Sequence, residues 1–456
     1  MERNGFSFEQ ALDLLHQKKY AALRSLLSDA EPADIAEFYE QVSGNQYAIV
    51  FRILPKELAA EVFVELDSDL QQILIESFSD SELKEVLAEL YMDDTVDLIE
   101  EMPANVVKRI LANSTGETRK TVNELLKYPD DSAGGIMTTE MVRFKQNMTV
   151  EEAFELLRRV AIDKETIYTC YVTDVNSHLI GIVTVLTLLL ASKDALIGDI
   201  MEENAICVST LDDKEFVAAQ ISKYDVLALP VVDAEHRLVG IVTVDDAIDV
   251  MQDEAEEDFA KMNAMLPTEK PYLKTAPFEL WKSRIPWLLL LMVSATFTGM
   301  IISSFEEALA TQVILTAFIP MLMDTGGNSG GQASVTIIRA ISLGEIRFGD
   351  WFRIVWKETR VALLCGGTLA AVCFVKLFVV DKWLMGKEIT FLIALVICLT
   401  LCVTVLCAKV IGCTLPLLAK KMGFDPAVMA SPFITTIVDA VSLLVYFQLA
   451  KYFLHL

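Results

Sequence analysis

Histidine is scarce in this chain: His16, His178, His236 and His455 are the four among 456 residues. None lies beside the acidic or glycine-rich features described below, which argues against zinc or copper chemistry. Cysteine is sparse too. Of eight, only Cys170 and Cys207 precede the apolar half, and none forms a C-x-x-C pair. A secreted disulfide scaffold is excluded, and the cysteines read as small membrane-helix residues in a reducing compartment. Basic residues are few, 38 Lys/Arg against 64 Asp/Glu. Nucleic-acid binding, which needs a basic face, is excluded. Residues 1–7 hold no apolar run of the signal-peptide kind, so the N-terminal half is expected in the cytoplasm. No Gly-Lys-Ser/Thr follows the glycine run, and there is no H-E-x-x-H or nucleophile–histidine pairing, so the chain is not expected to be an enzyme.

What is present divides sharply. The net charge of −26 suits a solvated acidic protein, whereas a mean hydropathy of +0.42 suits a membrane protein. From Arg284 to Leu456 there are 13 Lys/Arg and 10 Asp/Glu; the remaining 25 basic and 54 acidic residues leave residues 1–283 at −29. An acidic half precedes a hydrophobic one.

Residues 1–130 show apolar positions at helical spacing, such as Leu58, Val62, Leu66 and then Leu70, Ile73, Leu74. Breaks fall at Ser79-Asp80-Ser81, Asp93-Asp94 and Pro103. Short helices that each bury one stripe must stack, which predicts an all-α superhelix. An internal repeat follows. Gly181-Ile-Val-Thr-Val185 recurs as Gly240-Ile-Val-Thr-Val244, and Ile136-Met137 as Ile200-Met201. Strand–helix alternation in both copies predicts an α/β unit present twice. It resembles a tandem pair of CBS domains, divided here as 131–200 and 201–250. From Asp245 acids crowd one long helix reaching about Met265, after which Pro267, Pro271 and Pro277 break it; 251–280 is expected to be a connecting segment.

Residues 281–456 predict five membrane-spanning helices: 285–305, 308–338, 361–380, 389–418 and 427–450. Ten basic residues flank the side facing the acidic half and four the other, which places the N-terminal domains inside and the C-terminus outside. Asp439 lies thirteen residues past Pro426, about 20 Å along its helix and near mid-bilayer. Such an acid needs water, a cation, or a hydrogen bond from Ser, Thr or backbone. Asp324-Thr-Gly-Gly-Asn-Ser-Gly-Gly-Gln332 lies inside the second span. Its glycines suit either close helix packing or a cavity lined by carbonyls, with Asn328, Ser329 and Gln332 adding neutral oxygens. Oxygen ligands without imidazole or thiolate suit hard cations, and a wide site of this kind suits hydrated Mg²⁺.

The order of parts resembles the MgtE family of magnesium channels and transporters across the whole chain. The most specific pieces are Gly326-Gly-Asn-Ser-Gly330 with Gln332, and Asp425-Pro-Ala through Pro432 to Thr436-Ile-Val-Asp439. The resemblance implies a homodimer in the lipid of the cell membrane, with a pore between its two membrane domains. Asp439 and Asn328 would hold Mg²⁺ there, and Asp324, Gly326, Gly327, Gln332 and Thr435 would line the path. It also implies cytosolic Mg²⁺ sites that gate the pore. Their candidates are Glu61, Asp93 and Asp97 in the superhelix; Asp213, Glu215, Asp225, Asp246 and Asp249 in the second CBS domain; and Glu254, Glu257 and Asp258 on the connecting "plug" helix. ATP is a further implied ligand of the CBS pair, although no residue fixes an adenine site. Competing readings are a Co²⁺ or Mn²⁺ transporter, proton-coupled through Asp439, and a membrane sensor reporting through the CBS pair.

Overall fold

The computed structural model describes residues 2–3, 6–268, 272–429 and 431–455. Pro271, one of the three expected helix breakers, lies outside them. The chain divides into two compact units, Met1–Met251 and Gln252–Leu456.

The first unit opens with strands β1 (Glu2–Arg3) and β2 (Phe6–Ser7). Ten short α-helices follow among the described residues: α1 (Phe8–His16), α2 (Tyr20–Ser28), α3 (Pro32–Tyr39), α4 (Tyr47–Ile53), α5 (Lys56–Val64), α6 (Ser68–Ser77), α7 (Asp80–Glu89), α8 (Met92–Glu101), α9 (Ala104–Asn113) and α10 (Gly116–Leu125). Side chains set their starts. Asp67 Oδ1 accepts from Leu70 N at 3.1 Å, and Ser79 with Glu82 forms a reciprocal capping box. Each helix contributes one stripe to a continuous core that includes Leu23, Ile35, Val62, Leu74 and Ile110. Ile73, placed on that stripe by spacing, is instead 45% exposed.

The repeat folds as two small sheets. In the first, β3 (Arg143–Lys145) runs parallel to β4 (Thr169–Thr173), which pairs antiparallel with β5 (Leu179–Thr184) and then β6 (Glu202–Glu203). In the second, β7 (Val208–Ser209) is parallel to β8 (Ala228–Val232), itself antiparallel to β9 (Leu238–Thr243). The register Thr169↔Thr184 becomes Ala228↔Thr243, and the bulge at Val172/Thr173 recurs at Val231/Val232, so the hairpins keep the spacing of 59. The repeated glycine has a steric reason. A Cβ on Gly240 would lie 2.8 Å from Thr138 O, and one on Gly181 2.8 Å from Glu202 O. The opening segment of one copy crosses the last strand of the other at each point. Helices α11 (Val150–Val160), α12 (Val185–Leu190), α13 (Ile197–Ile200) and α14 (Lys214–Tyr224) cover the sheets, and α15 (Val244–Met262) leaves β9 and runs on into the second unit.

The second unit contains α16 (Pro277–Ser304), α17 (Glu306–Thr311), α18 (Ile319–Ser342), α19 (Trp351–Lys376), α20 (Phe391–Met422) and α21 (Ser431–Leu454). Among the described residues, four stretches, built on α16, α19, α20 and α21, are long and apolar enough to cross a membrane. Helix α18 is 24 residues long, the length of α21, but carries Asp324, Asn328, Gln332 and Arg339. It begins eleven residues later than the expected second span, because the chain breaks after Thr311 and makes 3₁₀ turns over Val313–Phe318. There Tyr446 Oη donates to Leu315 O at 3.0 Å. Ile319, Leu322, Ile397, Leu401, Leu443 and Phe447 form the core between α18, α20 and α21.

Candidate metal centres

The glycine run is the crossing surface of α18. A Cβ on Gly326 would meet Thr404, Val438 and Ser442 at 2.7–3.0 Å, and one on Gly330 would meet Ile434 at 2.7 Å. From α20, a Cβ on Gly412 would fall 2.3 Å from Gly330 O. Gly326, Gly327, Gly330 and Gly331 are buried, so of the two readings open for this run, close packing is what the glycines do. The opposite face of α18 is polar and exposed: Asp324, Asn328 and Gln332 recur every fourth residue. Asn328 Nδ2 donates to Asp324 Oδ1 at 3.1 Å. Thr435 packs on Gly327, with its hydroxyl donating to Pro432 O at 2.9 Å. Asp439 is half-buried on α21, and the charged neighbour acting on it is Asp324. Among the described residues no basic side chain pairs with either acid.

Other acids of this unit do meet lysines. Asp381, 3% exposed, accepts from Lys376 at 2.9 Å and Lys387 at 2.8 Å. Glu358 lies 3.7 Å from the buried Lys409. On α15, Lys261 Nζ bridges Glu257 at 2.6 Å and Asp425 at 2.7 Å. Burial and the nearby Asp425 raise the Asp258 carboxyl above its usual range, while Lys261 opposes the shift. Met262 packs with Ile338 and Ala427 beside this pair. Glu254, the third plug-helix candidate, lies one turn earlier on α15.

In the first unit, acids of the superhelix and the CBS pair converge. Asp93 and Asp94 occupy the first turn of α8, and Asp97 follows one turn later. Asp93 is buried, and desolvation with Asp94, Asp246 and Glu165 nearby raises its carboxyl well above the usual range. Burial first, and then neighbouring carboxylates, push Asp94 (beside Asp246) up to about 6, Asp97 (beside Glu100, Asp94 and Asp246) to about 7 and Glu165 (beside Asp94 and Asp246) to about 8. Asp246, on the first turn of α15, is raised by burial although Thr243 Oγ1 donates to it. Met92 N donates to Glu140 Oε2 at 3.2 Å, tying α8 to the first CBS copy.

The remaining candidates stand elsewhere. Glu61 is exposed on α5. Asp213 caps the start of α14 and accepts from Glu215 N at 2.9 Å. Asp225 ends the same helix in a left-handed conformation, φ 52°. Twelve residues of helix put these two acids about 18 Å apart. Asp249 lies one turn beyond Asp246 on α15. Among the described residues, no three Asp, Glu, His or Cys side chains close to metal-binding geometry.

Comparison with known proteins gives the family. The MgtE family model, described as a divalent cation transporter, matches residues 319–449. The MgtE intracellular N domain matches 30–131, and CBS domains match 133–194 and 197–253. A magnesium transporter MgtE of Thermus thermophilus is 35% identical over 99% of this chain and 98% of its own. The chain belongs to the MgtE family. The Bacillus subtilis MgtE is 32% identical over 97% of this chain and 96% of its own. A crystal structure of an MgtE cytosolic domain in complex with ATP is 37% identical, covers 54% of this chain and all of that one, and superposes with a TM-score of 0.51.

Several members of the acid cluster escape a reading of the sequence. Asp94 looks like part of a helix break, and Glu165 sits in a loop of the first CBS copy. Outside that cluster, Lys261 is hidden in an acidic run. Glu165 stands four residues before β4, and only the fold supplies its neighbours.

Proposed function

We propose that this MgtE-family protein carries Mg²⁺ across the cell membrane and is shut by Mg²⁺ on its cytosolic side. The observation that carries the transport reading is Asp439 near Asp324, on two abutting helices, with no basic partner among the described residues. A charged group in a membrane costs at least ~2.5–3.5 kcal/mol, so the carboxylate of Asp439 calls for a cation. The names of the relatives support Mg²⁺ as that cation. The ion keeps most of its water, and amide and carboxylate oxygens accept from that shell.

A second copy of the chain completes the path. Asp324, Asn328 and Gln332 face outward from a single chain, and against lipid they would be unsatisfied; in a homodimer they line a shared polar passage. The loop charges favour cytosolic N-terminal domains and an outer C-terminus.

Closure depends on the acid cluster. Two carboxylates ~6 Å apart repel by on the order of 3 kcal/mol at an effective dielectric of 20. Asp93, Asp94, Asp97, Asp246 and Glu165 offer only hard oxygens, which fits Mg²⁺, and the ion supplies the missing countercharge. A site held at 100 times its Kd contributes ~2.7 kcal/mol, and reversing a 1:99 equilibrium takes ~5.5. Two such sites suffice. Helix α15 carries Asp246 at one end and Glu257, Asp258 and Lys261 at the other, so ordering of the cluster is passed along one continuous helix. ATP at the CBS pair is part of the proposal because the similar cytosolic domain binds it. Deleting residues 1–260 is expected to abolish inhibition by internal Mg²⁺ while flux persists; inhibition that survives the deletion rejects the gating reading.

A further inference from the structure

The Asp324–Asn328 pair carries an inference that rests on α18 and α21 being the ion path. A primary amide presents a carbonyl oxygen on one side and an N–H₂ group on the other, and which way it points is fixed by its partners. An ionised carboxylate only accepts. Asn328 Nδ2 lies 3.1 Å from Asp324 Oδ1, so the N–H₂ group is committed to Asp324 and Oδ1 of Asn328 is left to face outward. The two residues are one helical turn apart on the exposed face. The backbone beneath them is held: Gly326 and Gly327 are wedged against Val438, Ser442 and Thr435, so the turn carrying Asp324 and Asn328 cannot rotate away from α21. Among the described residues, neither a lysine nor an arginine pairs with Asp324.

We propose that Asp324 is a positioning residue for ion recognition: it holds the Asn328 amide so that its carbonyl oxygen, and not its N–H, meets the hydrated divalent cation. Without Asp324 the amide turns freely, and half of its orientations present a donor to a shell of water hydrogens. Recognition weakens before transport itself does, so the loss falls mainly on KM.

The test is a double-mutant cycle on initial Mg²⁺ uptake by the full chain in liposomes, using Asp324→Ala, Asp324→Asn, Asn328→Ser and the Asp324→Ala/Asn328→Ser pair, with Asp439→Ala beside them. Asp324→Ala is expected to raise KM on the order of tenfold, the size of one charge-assisted hydrogen bond. Asp324→Asn keeps an acceptor oxygen and is expected to recover most of that loss. In the Asn328→Ser background, Asp324→Ala is expected to add less than about threefold, because there is no amide left to orient. A KM unchanged by Asp324→Ala overturns the proposal. So does an effect of equal size with Asn328→Ser, or an Asp324→Asn as impaired as Asp324→Ala, since either assigns the effect to charge alone. Uptake that survives Asp439→Ala rejects the ion path itself, separately from the role of Asp324.

Discussion

In the second unit, Asp381 meets Lys376 and Lys387, Glu358 meets Lys409, and Asp425 shares Lys261 with Glu257. In the first unit, Asp93, Asp94, Asp97, Asp246 and Glu165 gather with no Lys or Arg paired to them among the described residues. Among the described residues of α18 and α21, the acids Asp324 and Asp439 share that condition, Asp324 having the amide of Asn328 as its partner. On the proposed function, the contrast separates acids that hold the fold from acids that take an ion. An acid with a lysine is already neutralised; an acid without one keeps its field for a mobile cation.

The packing side of the contrast gives the largest effects. Gly412→Ala would drive a methyl group into Gly330 O, and a loss of about 3 kcal/mol is expected from overpacking, read as a fall in thermal stability in detergent. Asp381→Asn leaves two lysines without their partner. Because both are partly exposed, a loss of about 2 kcal/mol is expected, with divalent-cation selectivity untouched. A change in selectivity would break the division between structural and ion-holding acids.

The acid cluster should respond to pH with a definite sign. Asp94, Asp97 and Glu165 have folded-state values of about 6, 7 and 8 against ordinary values near 4, so the folded form binds more protons than the unfolded one. Their contribution is present in full below about pH 4 and is lost as pH rises to about 8. In divalent-free buffer the low-pH side of that window is therefore the more stable, and Mg²⁺ should restore stability at pH 8 while doing little at pH 5. Differential scanning calorimetry at both values checks this. Glu165→Gln should flatten the dependence. A smaller effect is expected from Lys261→Met, which leaves Glu257, Asp258 and Asp425 without their ammonium: internal Mg²⁺ should then inhibit at a concentration a few-fold lower, because it no longer competes with Lys261.

How far the sequence carries this account can be traced residue by residue. The spacing of 59 between the two Gly-Ile-Val-Thr-Val segments foretells both hairpins, because a strand's register is a property of the sequence that builds it. Asp439 is legible because a charge thirteen residues into an apolar run has few explanations. The start of α18 is not legible: the apolar run continues through residues 313–318, and hydropathy does not sense a 3₁₀ break. Glycines inside that helix could pack or line a cavity, and only neighbours distant in sequence, Thr404, Ile434 and Gly412, decide between the two. Glu165 and Asp246 are 81 residues apart in the chain, and nothing local marks them as a pair. Lys261 stands in an acidic run whose composition hides the bridge it makes to Asp425.

The most direct test of the division is Mg²⁺ uptake into liposomes carrying the purified protein, wild type beside Asp439→Ala, with Co²⁺ and Mn²⁺ as competitors. The account predicts that uptake is lost in the variant while the protein remains folded, and that Mg²⁺ outcompetes the other ions in the wild type. Uptake unchanged by the substitution would contradict it.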